Sequence, residues 1–185
     1  MNQIIIEGDY SQSGAYLLWM QARRETSVSF GRFQGGRPVV IPAGWYAYVG
    51  SAMGQRGASA PAGRLLRHAT RTGDKPPHAI RDALAVECLR VGLGAPGLRP
   101  PAAKRLHWHI DYLLDEIDIE IVRIMVIRAV ARLEGALTRQ LSAMPGVVPL
   151  APGLGASDAR GESHLLRCSD PDTPDRLAAV IATIT

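Results

Sequence analysis

The chain has 185 residues, 46% of them hydrophobic, so it can bury a sizeable core, and nothing in its length requires a second domain. A net charge of +4 and a pI of about 9.4 favour an anionic partner such as nucleic acid without identifying one. Cys88 and Cys168 are too few and too far apart for a zinc site or a disulfide framework, which predicts ordinary packing in a reducing compartment. With no leader pattern and no apolar run near the ~20 residues of a membrane span, we expect a cytoplasmic protein without a membrane partner.

The first third of the chain predicts extended structure. Residues 14–22 and 26–33 have the composition of strands, and a third extended segment covers residues 37–52 with breaks at proline and glycine. Residues 62–71 contain no proline and few β-branched side chains, so they predict a helix.

Residues 78–106 are rich in Ala, Gly, Leu and Pro, and only residues 79–92 have helical spacing. We expect this segment to be an insertion on the surface, either a plain excursion or an arm that contacts the nucleic acid. Replacing residues 79–104 with a short linker should leave a folded core and mainly weaken nucleic-acid binding.

The second half predicts a short amphipathic segment, a core strand, a helix, a loop, a short strand and a last helix. In that order they cover residues 108–115, 117–127, 130–144, 152–164 and 165–168, with the last helix starting near Thr173 and Pro174.

The stretch GWYAYVGSAMG, residues 44–54, concentrates aromatic residues in a chain where they make up 5%. Side chains alternate between the two faces of a strand, so Tyr48 and Gly50 share one face while Ala47 and Val49 share the other. The stretch therefore predicts a strand with one apolar face and one face that carries phenols and ends at a glycine turn. Taken alone, the pattern favours an ordinary strand with an aromatic surface that ends at a glycine turn.

The predicted helix at residues 62–71 has a cationic side. At 3.6 residues per turn, one side carries Arg64, Arg67, His68 and Arg71. Like charges at this spacing cost a few tenths of a kcal/mol each, roughly, unless an anion or an acidic neighbour compensates them. The face is therefore solvated, bound to an anion or paired with acidic neighbours.

The predicted helix at residues 130–144 carries Glu134 with no basic residue three or four positions away. Its apolar stripe consists of Leu133, Leu137, Leu141 and Met144. A carboxylate beside a buried stripe needs a distant arginine or a metal ion as its partner, and the sequence leaves both open.

Several short motifs follow one another in an order that resembles the GIY-YIG nuclease superfamily. GAY at residues 14–16 and YVG at residues 48–50 precede RLLRH at residues 64–68 and a glutamate on a later helix. PAGWYAYVGSA, RLLRH, WHIDYLL and PGLGASDARGESHLL are similar, in this order, to the Uri-type small prokaryotic endonucleases of that superfamily. The resemblance extends from about Gly14 to Cys168, apart from residues 78–106.

The resemblance implies one GIY-YIG-like α+β domain over residues 1–185, with a small antiparallel sheet of three core strands plus one or two more, flanked by helices. It implies hydrolysis of phosphodiester bonds in nucleic acid, with DNA as the expected partner and one divalent cation, Mg²⁺ or Mn²⁺, as cofactor. The two tyrosine motifs are farther apart than is usual in the superfamily. The Uri-type branch has a similar spacing because it carries an extra strand there, so the resemblance implies an extra strand between the motifs. After Asp158, Ala159 and Gly161 stand where relatives often have cysteine, so the role of that loop stays open.

The resemblance also implies a set of functional residues. The catalytic set is Tyr16, Tyr48, Arg64, His68 and Glu134. Glu134 would hold the metal, Arg64 would bind the scissile phosphate with its paired donors, and His68 would orient a tyrosine or relay its proton. The two tyrosines would flank the attacking water, and either could be its base. The implied substrate contacts are Gly50, Ser51, Arg67 and Arg71.

Two other interpretations remain. In HWHID, residues 107–111, a strand would place His107, His109 and Asp111 on one side as metal ligands, as in amidohydrolase barrels. Such a barrel needs ~250 residues, so we prefer a structural role in which a histidine and the aspartate bind backbone groups near the site. The second alternative is a catalytically inactive nucleic-acid-binding module with the same fold.

Overall fold

The computed structural model describes residues 2–155 and 163–181. Its strands are β1 (Ile4–Gly8), β2 (Gly14–Ala22), β3 (Thr26–Val28), β4 (Val39–Ile41), β5 (Gly44–Ala52), β6 (Ile119–Arg128), β7 (Val147–Pro149) and β8 (Leu165–Cys168). Its α-helices are α1 (Pro61–His68), α2 (Arg81–Arg90), α3 (His109–Leu114), α4 (Glu134–Ser142) and α5 (Thr173–Ile181). Two 3₁₀ turns, Phe33–Gly36 and Gly57–Ser59, precede β4 and α1.

The fold is α+β, as the sequence predicts, but its main sheet is larger than expected and is mixed. Six strands lie in the order β1-β6-β2-β5-β8-β7. The β1–β6 pair is parallel and every other neighbouring pair is antiparallel. The expectation of a small, purely antiparallel sheet is therefore wrong at one edge, where the five-residue strand β1 pairs in parallel with β6. This pairing joins residues far apart in the chain, so no local sequence pattern predicts it.

The two faces of the sheet carry separate hydrophobic clusters, which confirms the predicted alternation. Tyr48 belongs to the cluster under α1, together with Leu65 and Leu66, whereas Ala47 and Val49 belong to the cluster under α4. The period of two along β5 thus separates the aromatic face from the apolar face.

The predicted strand at residues 26–33 is shorter in the structure. Only β3 forms, and it pairs with β4 in a separate two-stranded sheet. Gly31 adopts a positive φ of 61° and ends the extended conformation, while Phe30 turns into the core and is fully buried.

Two predicted helices also start or end differently. α1 ends at His68 instead of residue 71, where the Thr70 hydroxyl donates to the Leu66 carbonyl at 2.9 Å. α4 begins at Glu134 instead of residue 130, and Val130 is exposed to solvent. Glu134 therefore stands at a helix N-terminus, where a negative charge is stabilised.

Residues 78–106 do not form a surface excursion. The predicted helix is present as α2, and Leu84, Cys88 and Leu93 are fully buried in the α1-side cluster. The expectation failed because α2 buries few side chains and exposes Val86, so its apolar pattern is weak. Both cysteines are buried without a disulfide, which confirms their predicted packing role.

None of the helices in the described part of the chain is both long and apolar enough to cross a lipid bilayer.

Truncating Leu84 to alanine should destabilise the protein by about 2–5 kcal/mol, because it removes a fully buried side chain from the main cluster. Val86→Ala is the matched control, since Val86 lies on the same helix with 68% of its surface exposed and should change stability little. Urea denaturation measures both. Equal, small effects would show that α2 is peripheral after all.

Candidate active site

A polar cleft opens at the carboxyl end of β5, between the start of α4 and the side of α1. It has a volume of about 250 Å³ and is lined by Tyr48, Ser51, Met53, Arg64, Trp108, Arg132, Glu134 and Gly155. Four of the predicted site residues therefore meet here although they come from three distant parts of the chain. Two guanidinium groups and one carboxylate give the cleft its mixed charge.

Glu134 reaches the cleft from the first turn of α4. The Ser51 hydroxyl donates to its Oε2 at 2.5 Å, and His164 Nδ1 lies 3.4 Å from its Oε1. The side chain keeps 22% of its surface accessible. The sequence predicts a distant arginine or a metal ion as the partner of this carboxylate. The protein groups that lie beside it are a serine, predicted as a substrate contact, and a histidine that the sequence did not single out.

Arg64 is held rigidly on the opposite wall of the cleft. Its Nε donates to the Ala58 carbonyl at 2.8 Å, and its Nη1 donates to the Ser51 carbonyl. Its guanidinium carbon lies 4.4 Å from the centre of the Trp108 ring, within cation–π range. Because an arginine has five N–H donors, this arrangement fixes the plane of the group and still leaves donors for an anion.

The two tyrosines lie side by side, but only Tyr48 lines the cleft. Their ring centres are 6.3 Å apart, and both side chains are buried. Burial raises the pKa of both phenols above the usual value, and the nearby Arg64 only partly offsets this effect. Both side chains are therefore neutral phenols at physiological pH.

Gly50 is paired with Tyr16 across the β2–β5 ladder, and its missing side chain makes room for the tyrosine. A Cβ atom on Gly50 would lie 2.6 Å from the Tyr16 hydroxyl oxygen. The hydroxyl thus lies over the backbone immediately before Ser51, a residue that lines the cleft. Gly50 acts through this packing and places the Tyr16 hydroxyl next to the cleft.

The Tyr16 hydroxyl leads into a buried chain of polar groups. It lies 3.0 Å from His68 Nε2, and His68 Nδ1 lies 3.1 Å from Asp111 Oδ1. Burial lowers the pKa of His68 to about 4, although the Asp111 carboxylate acts in the opposite direction. His68 is therefore a neutral imidazole at neutral pH.

Asp111 is the buried end of this chain. Burial by itself would raise the pKa of its carboxyl group, but the hydrogen bond from His68 and the positive charges of Lys104 and Arg67 lower it below its usual range. The backbone N–H groups of His107 and Trp108 each donate to Oδ2 at 3.0 Å. Asp111 therefore remains an ionised carboxylate.

The HWHID segment does not form a metal site. His109 begins helix α3, and its Nδ1 accepts a hydrogen bond from the Gly155 N–H at 3.2 Å. In the residues that the structure describes, no three His, Cys, Asp or Glu side chains are grouped as metal ligands would be. The preferred interpretation, in which the aspartate and a histidine bind backbone groups near the site, is confirmed.

Arg67 and Arg71, two of the predicted substrate contacts, lie outside the cleft. Arg67 donates to both carboxylate oxygens of Asp111, at 2.8 and 3.0 Å, and packs against Trp108. Arg71 is buried and donates to the Ile119 carbonyl and to Glu120. The cationic side predicted for α1 is thus largely compensated by acids from α3 and β6.

Three residues of the site had no clear signal in the sequence. Arg132 lies in the predicted helix at residues 130–144 but outside its apolar stripe, His164 ends a predicted loop, and Lys104 stands among prolines and alanines. Asp111 was noticed, but its contact with His68 is visible only once the helices are packed. The loop position of Ala159 and Gly161 lies outside the described residues.

Comparison with known protein families gives one match. The sequence model of a family described as a domain of unknown function, DUF123, matches residues 15–184. The chain belongs to the DUF123 family. The matched range includes every residue of the cleft, so the cleft lies within the DUF123 domain. Neither the curated proteins nor the solved structures contain a significant match.

Acid should destabilise this DUF123 domain before its carboxylates titrate. Burial lowers the pKa values of His68, to about 4, and of His78, so the unfolded state binds more protons than the folded state below the usual histidine pKa of 6.5. The free energy of unfolding should therefore fall as the pH drops from about 6.5 towards 4, by up to ~1.4 kcal/mol per pH unit for each histidine.

Urea denaturation at a series of pH values measures this slope. His68→Gln should make the slope shallower. A slope that is unchanged in this variant would show that His68 titrates normally in the folded protein.

Proposed function

We propose that the chain is a metal-dependent endonuclease that hydrolyses phosphodiester bonds in nucleic acid, DNA in the first place, within this cleft. The observation that carries the proposal is the convergence of Glu134, Arg64, Tyr48 and Ser51 on one polar cleft. A carboxylate that can hold a cation faces a fixed guanidinium that can hold a phosphate, and phosphodiester hydrolysis needs both.

The fold supports the GIY-YIG resemblance at its centre. Strands β6, β2 and β5 form an antiparallel core of three strands, α1 and α4 pack on its opposite faces, and the tyrosine motifs lie on adjacent strands. The other strands of the main sheet flank this core, with β1 on one side and β8 and β7 on the other.

The donors in the cleft suit a hard cation such as Mg²⁺ or Mn²⁺. The Glu134 carboxylate and the Ser51 hydroxyl offer oxygen atoms 2.5 Å apart, and Mg²⁺ commonly takes one or two protein carboxylates and keeps several waters. When bound, the cation supplies positive charge to the phosphate and makes water more acidic.

The side chains of the protein would divide the remaining work. Arg64 binds and orients the scissile phosphate with its remaining donors, because its plane is fixed by two carbonyl groups and by Trp108. Tyr16, whose hydroxyl lies 3.0 Å from His68 Nε2, is the better placed of the two tyrosines to pass on a proton. Tyr48 lines the cleft and helps to position the attacking water.

A nucleic-acid-binding module without catalysis is the second candidate. The raised pKa values of Tyr16 and Tyr48 favour it, because a buried neutral phenol is a poor base by itself. Cleavage assays on duplex, branched and single-stranded DNA and on RNA, with Mg²⁺ or Mn²⁺, separate the two. Salt-sensitive binding without any cleavage would favour the module.

Replacing Glu134 with glutamine should reduce metal-dependent cleavage by at least ~10²-fold, because the variant loses the charge that holds the cation. The melting temperature should change little, since the glutamine carbonyl can still accept the Ser51 hydrogen bond. Glu87→Gln, which alters a surface ion pair with Arg90 on α2, is the matched control and should cleave normally. Cleavage by the Glu134 variant at the wild-type rate would contradict the assignment.

Exchanging Arg64 for lysine tests the guanidinium itself. Lysine keeps the charge but has neither the planar fork nor the paired carbonyl contacts, so the rate should fall by ~10²-fold or more. Arg24→Lys, which changes an exposed arginine paired with Asp118, serves as the control. Single-turnover cleavage assays measure both, and equal rates would make Arg64 an ordinary surface residue.

A further inference from the structure

A continuous path of hydrogen bonds runs from the edge of the cleft into the core. The Tyr16 hydroxyl contacts His68 Nε2 at 3.0 Å, and His68 Nδ1 contacts Asp111 Oδ1 at 3.1 Å. All three side chains are almost completely buried. Their order is fixed by packing, since Trp108 and Tyr48 both place their rings edge-on against His68.

The charges around Asp111 decide which nitrogen of His68 carries the proton. Oδ1 is approached by Arg67 Nη1 at 3.0 Å and by Lys104 Nζ at 3.5 Å, and Oδ2 accepts two backbone N–H groups. A carboxylate surrounded by donors is itself only an acceptor, so His68 Nδ1 must donate to it. Nε2 then has a lone pair directed at the Tyr16 hydroxyl.

We propose that Asp111 is a positioning residue of the nuclease reaction: it holds His68 as the Nδ1–H tautomer, so that His68 Nε2 can take the proton of Tyr16. The inference rests on the proposed function for its catalytic consequence, whereas the tautomer is a property of the folded protein alone. Lys104, which comes from the segment before α3, and Arg67 keep the charge of Asp111 compensated.

The proton transfer balances without any further reactant. A water molecule gives one proton to the Tyr16 oxygen while the Tyr16 proton moves to His68 Nε2, and the water oxygen forms its bond to phosphorus as the bond to the leaving oxygen breaks. His68 becomes an imidazolium next to the Asp111 carboxylate, which stabilises it. The leaving oxygen takes a proton from solvent, and His68 later returns its proton to solvent through Tyr16.

Replacing Asp111 with asparagine should reverse the tautomer. The amide oxygen should take the side of Oδ2, where the N–H groups of His107 and Trp108 need an acceptor. The NH₂ group then faces His68 Nδ1, which must become an acceptor. His68 Nε2 would carry the proton and could no longer accept one from Tyr16.

The test is long-range ¹H–¹⁵N NMR of the whole, ¹⁵N-labelled protein at pH 7.5, which reports the protonation of each imidazole nitrogen. His68→Gln assigns the signals. Wild-type His68 should be the Nδ1–H tautomer, and Asp111→Asn should convert it to the Nε2–H tautomer. Single-turnover cleavage by Asp111→Asn should be at least ~10²-fold slower with KM nearly unchanged, as expected for a tautomer defect.

Two further variants keep the result interpretable. Asp115→Asn is the matched control, because Asp115 is a buried aspartate that binds Thr72 and Lys75 and has no contact with His68. It should leave the His68 tautomer and the cleavage rate unchanged. If Asp111→Asn does not fold, Lys104→Met combined with Asp111→Asn removes the ammonium group that would face the new amide.

Each outcome decides the proposal. A wild-type His68 that is protonated on Nε2 overturns it even if no variant folds. If the wild-type protein cleaves DNA and the Asp111→Asn variant cleaves it equally fast, the positioning role of Asp111 is refuted and the nuclease function is supported. A correct tautomer in a protein that cleaves no nucleic acid supports the positioning by Asp111 and refutes the proposed function.

Discussion

The buried carboxylate of Asp111 is the constraint on which the site depends. Removing an ionised group from water costs several kcal/mol unless donors replace the water, and here the replacements come from α1, from the backbone at the start of α3 and from Lys104. Satisfying this one charge therefore locks three segments together. The same packing brings Trp108 against Arg64 and so sets one wall of the cleft.

The second organising feature is the alternation of side chains along β5. One face supplies Tyr48 to the cleft and the other supplies Val49 to the core under α4, so the strand that lines the cleft also packs against a hydrophobic cluster on its other face. This arrangement buries Tyr16 and raises its pKa, which makes the phenol reluctant to lose its proton. In the proposed reaction this proton moves to His68 Nε2, which lies 3.0 Å from the Tyr16 hydroxyl.

The sequence predicts local patterns well and non-local partners poorly. Strand β5 and the apolar stripe of α4 were predictable because their periodicities are carried by neighbouring residues. Strand β1 was missed because its stability comes from pairing with β6, and residues 78–106 were misjudged because α2 buries only a few side chains. In the site, the order of the motifs predicted that Arg64 and Glu134 lie close together. The burial of Arg71 was not predictable, because it depends on Glu120, a partner about fifty residues away.

The most direct measurement of the central claim, that the cleft holds a cation on Glu134, is paramagnetic broadening of backbone NMR signals by Mn²⁺. Added at low concentration to the ¹⁵N-labelled protein, Mn²⁺ should first broaden the amide signals of Ser51, Arg132 and Glu134, which surround the cleft, and leave those of Trp45 and Arg167 sharp. Glu134→Gln should abolish this selective effect. Broadening centred on another carboxylate, or broadening that survives in the Glu134 variant, would contradict the account.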